Sequence, residues 1–128
     1  MASEIYEVRV QGRFSATHQL RLTNGTHEPV HGHDWKVEAI FRGAQLNNLD
    51  MLIDFDVAMA ALRDVLAQLN YTNLNALPQL ADRNPTAEWV AAHLFSELRN
   101  RLGSTASLAE VRVEEAPGCI ACYRQSAI

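Results

Sequence analysis

The sequence predicts an α+β domain in the order β-β-α-α-β-β, an antiparallel four-stranded sheet with two helices on one face. Three stretches alternate apolar and polar residues with the period of a half-buried strand, and a turn after the third leads to a fourth strand. Between the second and third of them, two stretches carry apolar residues at helical spacing. Strand pairs on either side of a helix pair favour an antiparallel sheet covered by helices on one side.

The first strand is 5–17, where Tyr6, Val8, Val10, Phe14 and Ala16 share a face opposite Glu7, Arg9, Gln11, Arg13 and Ser15. A Thr-Asn-Gly-Thr loop at 23–26 has turn chemistry. The second strand is 33–42, with Trp35, Val37, Ala39 and Phe41 opposing Asp34, Lys36, Glu38 and Arg42. The first helix, 55–69, carries Ala58, Ala61, Leu62, Val65, Leu66 and Leu69 as a stripe, with Asp54 as its N-cap. A polar connection runs from Asn70 to Asn84. Asn84-Pro85-Thr86 opens the second helix, Glu88 suits its dipole, Val90, Leu94, Leu98 and Leu102 keep register, and Gly103 ends it. The third strand is 108–115, with Ala109, Val111 and Val113 inward; a Pro117-Gly118 turn leads to the last, about 119–126.

A chain of 128 residues is the size of one domain, 1–128, with one real core. The net charge is −4 and Lys36 is the only lysine, so nucleic acid and anionic membrane surfaces find little to bind. No segment has the length or apolarity of a membrane span, and the N-terminal residues lack signal-peptide character. A soluble cytoplasmic protein is expected. Cys119 and Cys122 form a single Cys-x-x-Cys on a strand, where positions i and i+3 face opposite ways; two buried or half-buried thiols are expected rather than a metal site.

The informative residues are polar ones in phase with the core. His18 continues the inward series of the first strand, and His31 and His33 continue that of the second. Two adjacent strand ends thus deliver three imidazoles to one place. Three histidines and one open position make the ligand set of a catalytic zinc site. Gly32 between them leaves room for close approach. Glu115 extends the inward face of the third strand, so its carboxylate meets a cation, binds a ligand, or exits to solvent at the strand end. His27-Glu28-Pro29-Val30-His31 also matches the H-E-x-x-H pattern of zinc peptidases, but that pattern works only on a helix. Pro29 inside such a helix costs about 3 kcal/mol or more.

Phe14-Ser-Ala-Thr-His18, His31-Gly-His33-Asp-Trp, Leu52-Ile-Asp54-Phe55, Leu74-Asn75, Asn84-Pro85-Thr86-Ala87-Glu88 and Val111-Arg-Val-Glu-Glu115 fall in an order that resembles the 6-pyruvoyl-tetrahydropterin synthase and 6-carboxy-tetrahydropterin synthase family over nearly the whole chain. The resemblance implies a tunnelling fold assembled as trimers that pair into homohexamers. It also implies zinc on His18, His31 and His33, a pterin anchored by Glu115 with Thr86 lining its pocket, and 7,8-dihydroneopterin triphosphate as substrate.

The chain departs from the family pattern at the usual Cys-Asp-His relay, where it has His27, Asn70 and Tyr71. Glu28-Pro29-Val30-His31-Gly32-His33 instead resembles a branch in which glutamate replaces the catalytic cysteine. That branch gives 6-hydroxymethyl-7,8-dihydropterin for folate synthesis. The resemblance therefore implies a zinc-dependent lyase with Glu28 or His27 as base. The alternatives are a 6-carboxy- or 6-pyruvoyl-tetrahydropterin synthase with an altered base, with queuosine in place of folate as the pathway served, and a non-catalytic zinc or pterin binder.

Overall fold

The structure, a computed structural model, describes residues 2–104 and 106–125. Its main strands are β1 (Tyr6–His18), β2 (His31–Gly43), β4 (Leu108–Ala116) and β5 (Cys119–Arg124), and its helices are α1 (Phe55–Ala67) and α2 (Ala87–Leu102). A two-residue β3 (Thr72–Asn73) lies between the helices, followed by a single 3-10 turn at Leu74–Ala76. Ser126, at the expected end of the last strand, lies outside the described residues.

The expected four-stranded antiparallel sheet is corrected to a mixed sheet of five, in the order β3-β1-β2-β4-β5. β1, β2, β4 and β5 are antiparallel as expected, whereas β3 runs parallel to β1, pairing Thr72 with Ala16 and Asn73 with Thr17. Two polar residues have no apolar alternation to reveal them, so the sequence shows only a loop there.

Both helices cover the face that carries Val10, Phe14, Trp35, Val37, Ala39, Val111 and Val113, all buried. α1 crosses β1 at Gly12, where an added Cβ would stand 2.7 Å from Leu66 Cδ1. The missing side chain thus sets how closely helix and sheet approach. Asp54 caps α1 by accepting from the Asp56 and Val57 amides, and Thr86 caps α2 by accepting from the Trp89 amide. Leu69, beyond the last turn of α1, is fully buried, as are Leu74 and Leu80 in the polar connection. Among the described residues no helix is long and apolar enough to cross a membrane.

A register shift between Ile40 and Phe41 pairs Phe41 with Leu108 and leaves Ala109 unopposed. Leu108 therefore takes the core position expected of Ala109, and it is buried while Ala109 is half-exposed. The expectation of buried or half-buried thiols is corrected too: Cys119 and Cys122, on the edge strand β5, are both exposed.

His93 on α2 is nearly buried, and burial lowers its pKa below the ordinary imidazole value, with the Glu97 carboxylate opposing the shift. The native state therefore favours the neutral ring. Between the folded value and the unfolded value of about 6.5, the unfolded chain binds the extra proton, so stability falls as pH drops through that window. Thermal midpoints measured from pH 7.5 to 5.5 should fall less for His93→Leu than for the native chain. Parallel curves would show that His93 does not contribute to the acid limb.

Candidate metal centre

The β1–β2 register pairs His18 with His31 and Ala16 with His33, so the three rings project from neighbouring rungs at the end of the sheet. Trp35, fully buried one step inward, packs edge-on against His18 and His33 at centroid distances of 4.9 and 5.7 Å. Pairs of the three rings themselves meet edge-on at 4.6 to 5.3 Å. Packing of the rings on one another and on Trp35 orients them.

Backbone carbonyls fix the tautomers. His18 Nδ1 lies 2.8 Å from the Pro85 carbonyl and His31 Nδ1 lies 2.9 Å from the Pro29 carbonyl. A carbonyl only accepts, so in each neutral ring Nδ1 carries the proton and Nε2 presents a lone pair. Those two Nε2 atoms face each other at 3.1 Å. His33 Nε2 is buried with no hydrogen-bond partner; Glu115 Oε1 is 3.1 Å away but outside hydrogen-bonding geometry. The same Glu115 oxygen stands 3.0 Å from His18 Nε2. One donor atom from each of His18, His31, His33 and Glu115 lies within 4.8 Å of the others.

Lone pairs converging in this way repel one another unless a cation lies among them. Zinc–imidazole bonds of about 2.0–2.1 Å at tetrahedral angles separate the nitrogens by roughly 3.3 Å, close to the spacing seen here. The donor set fits zinc: borderline nitrogen ligands, a carboxylate in reach, and carbonyls behind two histidines that hold the tautomer. Contrary to expectation, Gly32 is not a point of close approach. A Cβ there would make only ordinary contacts, 3.6 Å from Thr17 Cγ2, so no close approach within the chain requires glycine. Gly32 instead lines an open cleft of roughly 610 Å³ beside His33, with Asp34, Tyr71 and Asn73 on its other walls.

Glu28 and His27 part company. Glu28 pairs with Leu20 like a strand neighbour: its amide donates to the Leu20 carbonyl at 3.0 Å, and its Oε1 accepts from the Leu20 amide at 3.1 Å. That oxygen stands 3.8 Å from His31 Nε2. His27 is exposed and its backbone bridges to Arg21, outside the cluster of donor atoms. Thr86 sits next to Pro85, whose carbonyl holds His18, with its hydroxyl engaged as the α2 cap.

Two residues matter here beyond what their motifs revealed. Asn75 accepts from the Gln19 amide and donates to the Gln19 carbonyl, both at 2.8 Å. Asn84 does the same for Arg21, at 2.8 and 3.0 Å. Each side chain imitates a missing strand and holds the segment after His18 in line with Glu28. Asn70 and Tyr71 have a similar structural use: Asn70 Oδ1 accepts from the Ser15 amide, and the Tyr71 amide donates to the Ser15 carbonyl.

Fold and centre together define an α+β protein whose sheet end carries three histidines and a carboxylate that could hold a metal ion beside an open cleft. The sequence model of the family described as 6-pyruvoyl tetrahydropterin synthase matches residues 7–126. A putative 6-carboxy-5,6,7,8-tetrahydropterin synthase of Archaeoglobus fulgidus is 30% identical over 94 residues, 73% of this chain and 76% of that protein. The chain belongs to the 6-pyruvoyl tetrahydropterin synthase family, a family of pterin-processing lyases. Its fold matches 6-pyruvoyl tetrahydropterin synthase of Caenorhabditis elegans with a TM-score of 0.84 at 22% identity, over 98% of this chain and 99% of that one. The Plasmodium vivax enzyme matches at 0.79 and 20% identity, over 97% and 99%. One variant of that enzyme is described as replacing a catalytic glutamate by alanine.

Proposed function

We propose that the chain, as one domain over 1–128, is a zinc-dependent lyase that cleaves the side chain of 7,8-dihydroneopterin triphosphate to 6-hydroxymethyl-7,8-dihydropterin, a cytoplasmic step toward folate. The observation that carries this reading is Glu28 Oε1, 3.8 Å from His31 Nε2 at the rim of the centre, whereas His27 is exposed and bridged to Arg21. The catalytic glutamate of the Plasmodium vivax relative is consistent with a carboxylate base.

His18, His31 and His33 would hold the zinc, which when bound supplies Lewis-acid polarisation of the substrate's side-chain hydroxyls. Glu28 takes the proton from one hydroxyl, and that oxygen's electron pair forms a carbonyl. The adjacent carbon–carbon bond breaks and its electrons pass into the dihydropterin ring. The carbon left on the ring then takes a proton, which leaves a hydroxymethyl group and releases an aldehyde fragment. The Leu20 amide orients Glu28 for this transfer, and Glu115 and Thr86 hold the pterin.

A second reading, a 6-carboxy-5,6,7,8-tetrahydropterin synthase, is favoured by the likeness to the Archaeoglobus protein of that name. Incubating the zinc-loaded protein with 7,8-dihydroneopterin triphosphate and identifying products by mass separates the two. The hydroxymethyl product supports the first reading, the 6-carboxy or 6-pyruvoyl product replaces it, and unchanged substrate leaves only a binder.

Glu115→Gln should raise the Michaelis constant about tenfold with zinc retained, because a charge-assisted bond to the pterin is lost. Loss of zinc in that variant would make Glu115 a metal ligand instead. The length of β1 that the two-residue β3 leaves unpaired, and the edge strand β5, call for partners, and the proposed assembly is a trimer or homohexamer of the 14.3 kDa chain. Light scattering at micromolar concentration should give at least the trimer mass; a stable monomer contradicts it.

A further inference from the structure

The sheet face turned away from the helices and the histidines carries rows of charge across its strands. Its carboxylates are nearly all consumed. Glu110, with its side chain fully buried, is ringed by Arg42 at 3.4 Å, Arg124 at 3.3 Å and Arg112. Glu38 accepts from Gln11 at 2.6 Å and pairs with Arg9 at 3.3 Å and Arg112 at 3.8 Å.

One row breaks the pattern. The register sets Arg13 directly opposite Lys36, the only lysine in the chain. Like charges directly opposed across a strand pair destabilise a sheet. Arg13 has no ion pair among the described residues, and Lys36 has only Glu114, at a loose 3.8 Å. Asp34, on a neighbouring rung, accepts from the Ser15 hydroxyl at 2.6 Å and pairs with neither base. The two cations open on a cleft of about 390 Å³ whose walls also include Gln11, Arg112, Ile120 and the carboxylates Glu38 and Glu114, both already paired with bases. Lys36 follows His33 by three residues, so its side chain leaves the opposite face of the sheet, about 10 Å along the strand from the metal centre.

We propose that this cleft binds a doubly charged oxyanion of the phosphate class, a phosphate ester or a short polyphosphate, between the Arg13 guanidinium and the Lys36 ammonium. A guanidinium offers a planar fork of donors to two oxygens of one phosphate, and an ammonium beside it adds a point charge. The anion turns a repulsive pair into a bridged one. The site is separate from the pterin site, and its failure leaves that reading untouched.

Inorganic pyrophosphate titrated calorimetrically into the zinc-loaded protein tests this. One saturable site per chain is expected, weakened at least tenfold by Arg13→Gln and by Lys36→Gln. Binding should persist in His31→Ala, where the metal centre is disabled, and in Arg101→Gln, which removes a distant cation paired to Asp64. Pyrophosphate should also raise the thermal midpoint of the native chain and leave that of Arg13→Gln unmoved, which guards against a folding defect. No saturable heat up to about 1 mM overturns the proposal. So does loss of binding in His31→Ala with retention in Arg13→Gln, which would place the anion on the metal. An equal loss in Arg101→Gln overturns it as well, since general charge would then suffice.

Discussion

His31→Ala should lower bound zinc from about one ion per chain to roughly a tenth or less, while the apoprotein folds as well as the native apoprotein. The second half of that expectation follows from the lone-pair geometry. His31 Nε2 faces His18 Nε2 at 3.1 Å, so truncating His31 removes one of two converging lone pairs along with a proposed ligand. Its side chain is 37% exposed, so little packing is lost.

A chelator separates metal stabilisation from fold stability. A ligand that binds only the native state at a thousand times its Kd stabilises by about 4 kcal/mol. Chelation should therefore lower the thermal midpoint of the native holoprotein by on the order of 10 °C and leave that of His31→Ala nearly unchanged. His27→Ala should keep its zinc, since that residue is exposed and bridged to Arg21 rather than joined to the centre. Full zinc occupancy of His31→Ala by elemental analysis would refute the ligand assignment.

The histidine cluster was legible because strands have a period of two. His18, His31 and His33 are polar residues in the inward phase of two strands that a short loop makes neighbours, and the register then brings them together. Glu115 was legible as an in-phase carboxylate, but its place among the histidine nitrogens depends on strand order. What stayed hidden is satisfied over long sequence distances. Asn75 and Asn84 act on Gln19 and Arg21 from 56 and 63 residues away, and Pro85 fixes the His18 tautomer from 67. Glu110 falls in the outward phase, yet it is buried by three arginines rather than by the core, and no hydropathy pattern records that. The bulge that puts Leu108 in place of Ala109 is likewise a property of the pair of strands rather than of either one.

Glu28→Gln should reduce the single-turnover rate by about a hundredfold or more, the usual worth of a positioned general base. The substitution isolates the proton transfer. Glu28 Oε1 is held by the Leu20 amide at 3.1 Å, a bond that the amide oxygen of glutamine can still accept, though without the charge assistance. The side chain keeps its place and its volume, and the backbone pairing of Glu28 with Leu20 does not involve the carboxylate. Zinc content should stay at the native level, because His18, His31 and His33 are untouched. His27→Ala is the matched control: an exposed residue bridged to Arg21 should cost no more than a few-fold in rate. If Glu28→Gln keeps a near-native rate and His27→Ala is inactive, the base is His27, and the loop 19–28 must rearrange on substrate binding to bring that ring to the centre.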